Sequence, residues 1–300
     1  MAFAQGSRSE IGYIAEVTFG TTPDTPTLVR LPFNSHTLDL SKQTVESAEI
    51  RSDRQITIMR HGNKNVSGEL TADLRAEDYD PFLEAAFFGT ISTGTLKCGT
   101  TAKYFTLEDR ATDITQYRAY TGMMVNSMDL SVKPNAMAEI KFGFIGKNMT
   151  QSGTSVTGSA LTAASTNQPF DSFTGTIDEG GSSIAIVAGL DLKIENGLGP
   201  TFVVGSSTTP QMEYGRAKVT GTIEAYYQDA TLINKFINET VSSLEFALTD
   251  GTNTYTFTMG SIKYTGAPVP VSNEQSRMIS LPFQALYHAA DATTLKLVIS

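Results

Sequence analysis

The chain has 300 residues, 40% of them apolar with 16 Phe, 11 Tyr and no Trp, enough for two domains of ordinary size. A formal charge of -9, with charged residues at only 18%, excludes a general nucleic-acid binder, because neutralising phosphates takes clustered Lys and Arg. The single cysteine, Cys98, excludes an internal disulfide and reads as a small buried or half-buried residue.

Met1 to Arg8 lacks a basic stretch ahead of an apolar one and does not read as a secretory leader. Nowhere do about 18 apolar residues run together, so no membrane partner is expected. An N-terminal arm, residues 1–30, carries Ile11, Tyr13, Ile14, Val17 and Phe19. Such an arm either docks on a neighbouring subunit, through Ile11, Tyr13, Val17 and Phe19, or packs on its own domain.

The first domain is expected over residues 31–148. Leu38 and Leu40 alternate with Asp39 and Ser41, which is the period of a half-buried strand. Val66, Gly68, Leu70, Ala72 and Leu74 share one strand face, with Ser67, Glu69, Thr71 and Asp73 on the other. Between these strands runs a long connection, Gln43 to His61, that holds Glu46, Glu49, Arg51, Asp53, Arg54 and Arg60. A mixed-sign extension of this length is costly to order unless it contacts something, and the alternative reading is a solvated loop. A helix is expected from Ala76 to Phe88, with Tyr79, Phe82, Leu83, Ala86 and Phe87 as its apolar stripe and Gly89 as its stop. Ile140, Phe142 and Phe144 mark the last strand of this half.

Residues 149–183 form a linker rich in Ser, Thr and Gly, and its early part, Thr150 to Thr166, reads as a flexible connector. Phe170, Phe173 and Ile177 could anchor its later part as an added strand.

Residues 184–300 then repeat the order. Leu190, Leu192 and Ile194 alternate with polar residues. Gly215 to Ile223 overlays Gly62 to Leu70, both reading G-x-x-x-V-[ST]-G-x-[LI]. A helix is expected near Ala230 to Asn238, with Leu232 and Phe236 in the places of Tyr79 and Leu83. Leu244 to Asp250 matches Lys103 to Asp109, and Ile279, Leu281 and Phe283 match Ile140, Phe142 and Phe144. Four matched elements in one order indicate a duplication. The second extension, Gly197 to Tyr214, is nearly uncharged, so the strands agree while the extensions differ.

No catalytic, cofactor-binding or metal-binding motif appears. His36, His61 and His288 lie near strand ends or turns, none of them in an H-E-x-x-H motif or beside a Cys. No nucleophile elbow, phosphate loop or dinucleotide fingerprint occurs. Asp78 and Asp80 sit where carboxylates favour the positive end of a helix. A chain that preserves its sheet and varies its extensions is more like an assembly subunit than an enzyme.

The segment Ile11-Gly-Tyr-Ile-Ala-Glu-Val-Thr-Phe-Gly-Thr-Thr-Pro resembles the N-terminus of a tail tube family of long-tailed (siphovirus-type) bacteriophages. So do Glu46 to Ile56, Arg60-His-Gly-Asn, Glu195-Asn-Gly, Glu213-Tyr-Gly-Arg and Leu281-Pro-Phe-Gln-Ala-Leu-Tyr. The resemblance covers most of the chain outside the linker. It implies a mainly β fold of two tandem tube domains, each a β-sandwich or half-barrel with one short α-helix. It also implies a virion protein, made in the host cytoplasm, whose sheets join edge to edge into an inner barrel. Three duplicated chains would form one pseudo-sixfold ring, and stacked rings a hollow tube for DNA ejection. Implied partners are further copies of the chain, a tape measure protein and double-stranded DNA in the lumen, and terminator and distal tail proteins at the ends. Glu46, Glu49, Arg51, Asp53, Arg54 and Arg60 would then stack ring on ring. Carboxylates in the lumen would repel phosphate, and the candidates are Asp39, Glu69, Asp73, Glu139, Asp191 and Glu224; a solvated outer face is the other reading for each, because alternation does not say which face looks inward. The readings from other classes are a β-sandwich adhesin or carbohydrate-binding module, and a capsid-decoration or tail-terminator protein.

Overall fold

The first half of the computed structural model contains β1 (Ser9–Glu16), β2 (Val29–Leu31), β3 (Ser35–His36), β4 (Asp39–Glu46), β5 (Met59–Asp73) and α1 (Asp80–Phe87). It continues with β6 (Thr95–Lys97), β7 (Tyr104–Ala111), β8 (Gln116–Val132), β9 (Glu139–Gly146) and β10 (Asn148–Ser152). The second half contains β11 (Thr176–Glu179), β12 (Ser182–Ser183), β13 (Val187–Glu195), β14 (Gly199–Pro200), β15 (Met212–Glu213) and β16 (Lys218–Tyr226). After these come α2 (Thr231–Ile237), β17 (Ser242–Thr249), β18 (Thr254–Tyr264), β19 (Met278–Ala285) and β20 (Lys296–Ile299). The structure describes residues 3–158, 160–172, 175–271, 274 and 276–300. The chain is mainly β, as its alternation predicts.

Both halves use one pairing scheme. In the first, β4–β5–β9–β8 form an antiparallel sheet, and β13–β16–β19–β18 repeat it in the second. A second layer runs β1–β7–β8–β10, matched by β11–β17–β18–β20. The long strands β8 and β18 therefore serve both layers. A bulge between Val125 and Ser127 bends β8 where it passes from one layer to the other, a common use of bulges.

The shared glycine of the repeated motif has a steric cause. A Cβ on Gly68 would lie 2.6 Å from the Thr37 carbonyl oxygen, and one on Gly221 would lie 2.3 Å from the Asp191 carbonyl oxygen. Thr37 bonds Glu69 and Asp191 pairs with Thr222, so the two carbonyls hold the same place in each half. Only glycine lets the neighbouring backbone come that close.

Helix α1 starts later than its apolar stripe suggests. Pro81 in the first turn is preset for helix, while Glu77, with φ 72°, keeps the preceding residues in a turn. Phe88 adopts the left-handed conformation at the C-terminus, and the Gly89 N–H bonds the Glu84 carbonyl at 3.0 Å. Tyr79, Phe82, Leu83, Ala86 and Phe87 are all buried. Phe82 meets Tyr13, Phe105, Phe142 and Phe144, and each such aromatic burial contributes about 1.5–3 kcal/mol. Helix α2 spans Thr231–Ile237 and buries none of its residues fully; Phe236 is 37% and Ile237 64% exposed.

The two halves share one continuous core rather than two separate ones. Tyr255 of β18 donates to the Asp80 carboxylate and accepts the Glu77 N–H, both at the start of α1. Strand β20 pairs with β6, placing Leu297 opposite Leu96.

Three expectations about segments change. The N-terminal arm is built into the first half: β1 pairs with β7 along its whole length, and Ile11 is fully buried. Thr150 to Thr166 is not a free connector. Its start is β10, Glu108 accepts from Ser155 and Val156, Thr162 bonds Leu28 and Arg30, and Asp78 accepts from Ser165. Later, Phe170 is buried against Tyr255 and Ile177 lies in β11, whereas Phe173 is outside the described residues. Finally, the connection Gln43 to His61 is shorter as a loop, because β4 and β5 continue pairing to Glu46 and Met59. Only residues 47–58 form the open tip.

Candidate assembly interface

The halves meet edge to edge. Strand β8 pairs antiparallel with β13, from Leu190 opposite Val132 to Glu195 opposite Ser127. This joins both four-stranded units into one sheet. Past the ladder, Asn196 is nearly buried: its N–H bonds the Asn126 carbonyl at 2.8 Å, and the Asn126 side chain accepts from Leu198 at 2.7 Å. The Asn196 amide also donates to the Ala86 and Val125 carbonyls. Backbone polar groups at this seam are thereby satisfied.

The same two edges recur at the ends of the joined sheet, without a strand on them. Among the described residues, β4 pairs with β5 alone, whereas its counterpart β13 lies between β16 and β8. At the far end the chain beyond β18 follows β19: the Thr265 N–H bonds the Pro282 carbonyl and the Ser280 N–H bonds the Pro268 carbonyl. No described strand covers its other side. Pro268 and Pro270 here are residues tolerated at sheet edges. Unpaired edges invite another chain.

One face of the joined sheet is core; the other is polar and forms a groove of about 600 Å³ along β8, β9, β13, β16 and β19. Glu69, Asp73, Glu139, Asp191 and Glu224 lie on strands whose alternate residues are buried, and Asp39 stands opposite Ser67 on the Glu69 side of β5, so all six share this polar face. Sequence reading missed that the face is mixed in sign. Asp129 and Glu195 join the six, but so do Lys141, Lys193 and Lys218. Lys193 pairs with Glu195 at 2.8 Å and lies 3.9 Å from Asp129; Lys141 lies 3.6 Å from Glu69. Burial raises the Asp129 carboxyl above its ordinary value, opposed by Lys193.

The β4–β5 hairpin projects from this sheet. Glu46, Glu49, Arg51, Asp53, Arg54 and Arg60 are all exposed on it, and Arg51 pairs with Asp53 at 2.6 Å. Apolar residues are exposed there too, which charge counting overlooked: Val45, Ile50, Ile56, Ile58 and Met59. Their sequence signal was an Ile-x-Ile-Met run inside a segment read as polar.

Of the four arm residues, Ile11 and Tyr13 face the core of their own half, and Tyr13 meets Phe82 and Phe105. Phe19 sits against Tyr104 and under the Lys147 ammonium. Val17, 94% exposed, is the one of the four with its side chain open to a neighbour.

Cys98, His288 and Asp80 are held by contacts within the fold. The Cys98 N–H bonds Thr293 Oγ1 at 3.1 Å, and burial pushes its thiol up. His288 bonds Asp291 at 2.6 Å, with Lys296 on the other carboxylate oxygen, and Asp291 is thereby held below its ordinary value. Burial raises Asp80, against the Tyr255 hydrogen bond. No helix is long and apolar enough to cross a membrane.

No curated protein matches this chain. The profile of the family described as phage tail tube protein matches residues 6–285, nearly the whole chain, so the protein belongs to that family of structural bacteriophage tail components.

Proposed function

We propose that three chains close into a ring of six tube domains, and that rings stack into the tube through which the genome leaves the virion. The two halves are read as copies of one tube domain. The observation that carries this is the β8–β13 seam, because its two edges reappear at β4 and beyond β18. Repeating the seam between chains brings Ser41 of one chain beside Thr265 of the next, as Glu195 stands beside Ser127. Head-to-tail contacts of this kind generate closed rings, and closure removes every free edge.

In this ring the polar face of the joined sheet lines the lumen, and Asp39, Glu69, Asp73, Glu139, Asp191 and Glu224 keep DNA from adhering. Lysines on the same face limit the repulsion and hold their neighbours in ion pairs. The hairpin tip, with Glu49, Arg51, Asp53 and Arg54, contacts the next ring, while Glu46 and Arg60 stand at its base. Val17 is the arm residue placed to touch another subunit. A tape measure protein would occupy the lumen during assembly, and terminator and distal proteins would close the ends.

Negative-stain microscopy of the purified protein tests the reading. Rings or tubes with six lobes per ring are expected. Stable monomers at all concentrations, or monomers that bind glycans, would overturn it.

A further inference from the structure

The seam inside the chain predicts a second contact between chains, resting on the ring reading above. Strand β14 pairs with β15 through Gly199–Glu213 and Pro200–Met212. The base of the first hairpin pairs Val45–Arg60 and Glu46–Met59. Counting from Ile194 opposite Val219, and from Leu40 opposite Val66, these are the same positions in each half. Leu198, Met212 and Tyr214 therefore correspond to Thr44, Met59 and His61.

Leu198 and Met212 of the second half are covered, while Tyr214 is half-exposed with its ring against the first half; the three first-half residues are all exposed. Leu198 and Met212, each 8% exposed, form a small cluster with Phe88 and Met124 of the first half. Tyr214 lies on the Phe88 ring, centroids 5.2 Å apart. By contrast, Met59 is 54% exposed, and Thr44 and His61 are exposed as well.

The surface that receives the second hairpin also has a counterpart. Phe88 ends α1 with φ 52°, and Glu239 follows α2 with φ 50°. Met124 precedes Val125, the partner of Phe144, and Lys263 precedes Tyr264, the partner of Phe283. Where the first half has Phe88 and Met124, the second has the exposed Glu239 and the half-buried Lys263, 3.7 Å apart, beside Val241 at 52% exposure. The extensions differ in the same sense: the apolar one covers an apolar corner, and the charged one corresponds to a charged corner.

We infer that the base of the first hairpin of each chain, Thr44, Met59 and His61, docks on the α2 corner of the next chain in the same ring, formed by Glu239, Val241 and Lys263. Met59 covers Val241 and the stem of Lys263, and His61 faces Glu239. The hairpin tip stays free for the neighbouring ring.

Crosslinking of the full chain in a Cys98→Ser background tests this. One protein carries Met59→Cys with Val241→Cys; a second carries Ser41→Cys with Thr265→Cys across the proposed ring seam. Both are treated with a short bismaleimide and run on denaturing gels. Docking predicts that both shift the band from one chain to covalent species of two and three chains, and no further. If the seam pair crosslinks and the Met59–Val241 pair does not, docking is overturned and the ring stands. A ladder beyond three chains from the Met59–Val241 pair places the hairpin base on the next ring and also overturns it. If neither pair crosslinks, the ring reading fails and docking fails with it.

Discussion

The Asn196 side-chain amide donates to the Ala86 carbonyl at 3.0 Å, so a residue of the second half caps the last turn of the helix in the first. A second bond from the same amide reaches the Val125 carbonyl at 3.1 Å. Asn196→Leu removes both donors from buried carbonyls, at about 1–3 kcal/mol for the unsatisfied groups. Denaturant unfolding is expected to show a single transition at lower midpoint. An unchanged midpoint would mean the seam does not depend on this amide.

Gly68→Ala and Gly221→Ala place a methyl group against the carbonyls of Thr37 and Asp191. Gly221 also faces the Phe283 ring at 2.5 Å. Each substitution is expected to destabilise the chain by about 1–3 kcal/mol, the usual effect of overpacking. Gly6→Ala, with nothing within 4 Å of the added methyl group, serves as the control for backbone entropy. Equal stability of Gly221→Ala and the unaltered protein would refute the close-approach account.

His36 lies 3.8 Å from Asp109, which is already held by Arg118 at 3.1 Å through Nε. Burial pushes the imidazole below its ordinary value of 6.5, Arg118 adds to this, and Asp109 opposes it. The folded state thus prefers the neutral ring. Its contribution is complete above 6.5 and is lost as the pH falls through the lowered value. Relative to His36→Asn, the unaltered protein should lose stability on acidification. A constant difference across that range would exclude His36 as the source.

Replacing Glu69, Glu139, Asp191 and Glu224 together by Lys reverses much of the charge on the polar face while leaving the buried face unchanged. Tubes should still assemble, and virions carrying them should eject DNA more slowly, most clearly at low salt, where screening is weakest. Normal ejection rates at low salt would count against a lumenal role for these carboxylates.

Much of the architecture was already legible in the residues. Alternation at Leu70–Leu74, Ile140–Phe144 and Ile279–Phe283 identified strands, because side-chain direction along a strand depends only on parity. The repeated V-[ST]-G motif and the two helices followed from local signals of the same kind. The helix start at Asp80 did not, since Ala76, the expected first residue, and Tyr79 of the apolar stripe are buried without being helical.

The sequence by itself determined that the chain is a β protein in which a V-[ST]-G strand motif recurs, and that six carboxylates alternate with apolar strand residues. Only the tertiary structure decided that β1 belongs to the first half, that the linker is pinned across Glu108 and Asp78, and that β8 meets β13. It also placed Lys141 and Lys193 among the carboxylates. The physical reason is that parity and turn chemistry are properties of neighbours in sequence. Which edge finds which partner depends on ladders and ion pairs between residues far apart along the chain, and no local pattern encodes them.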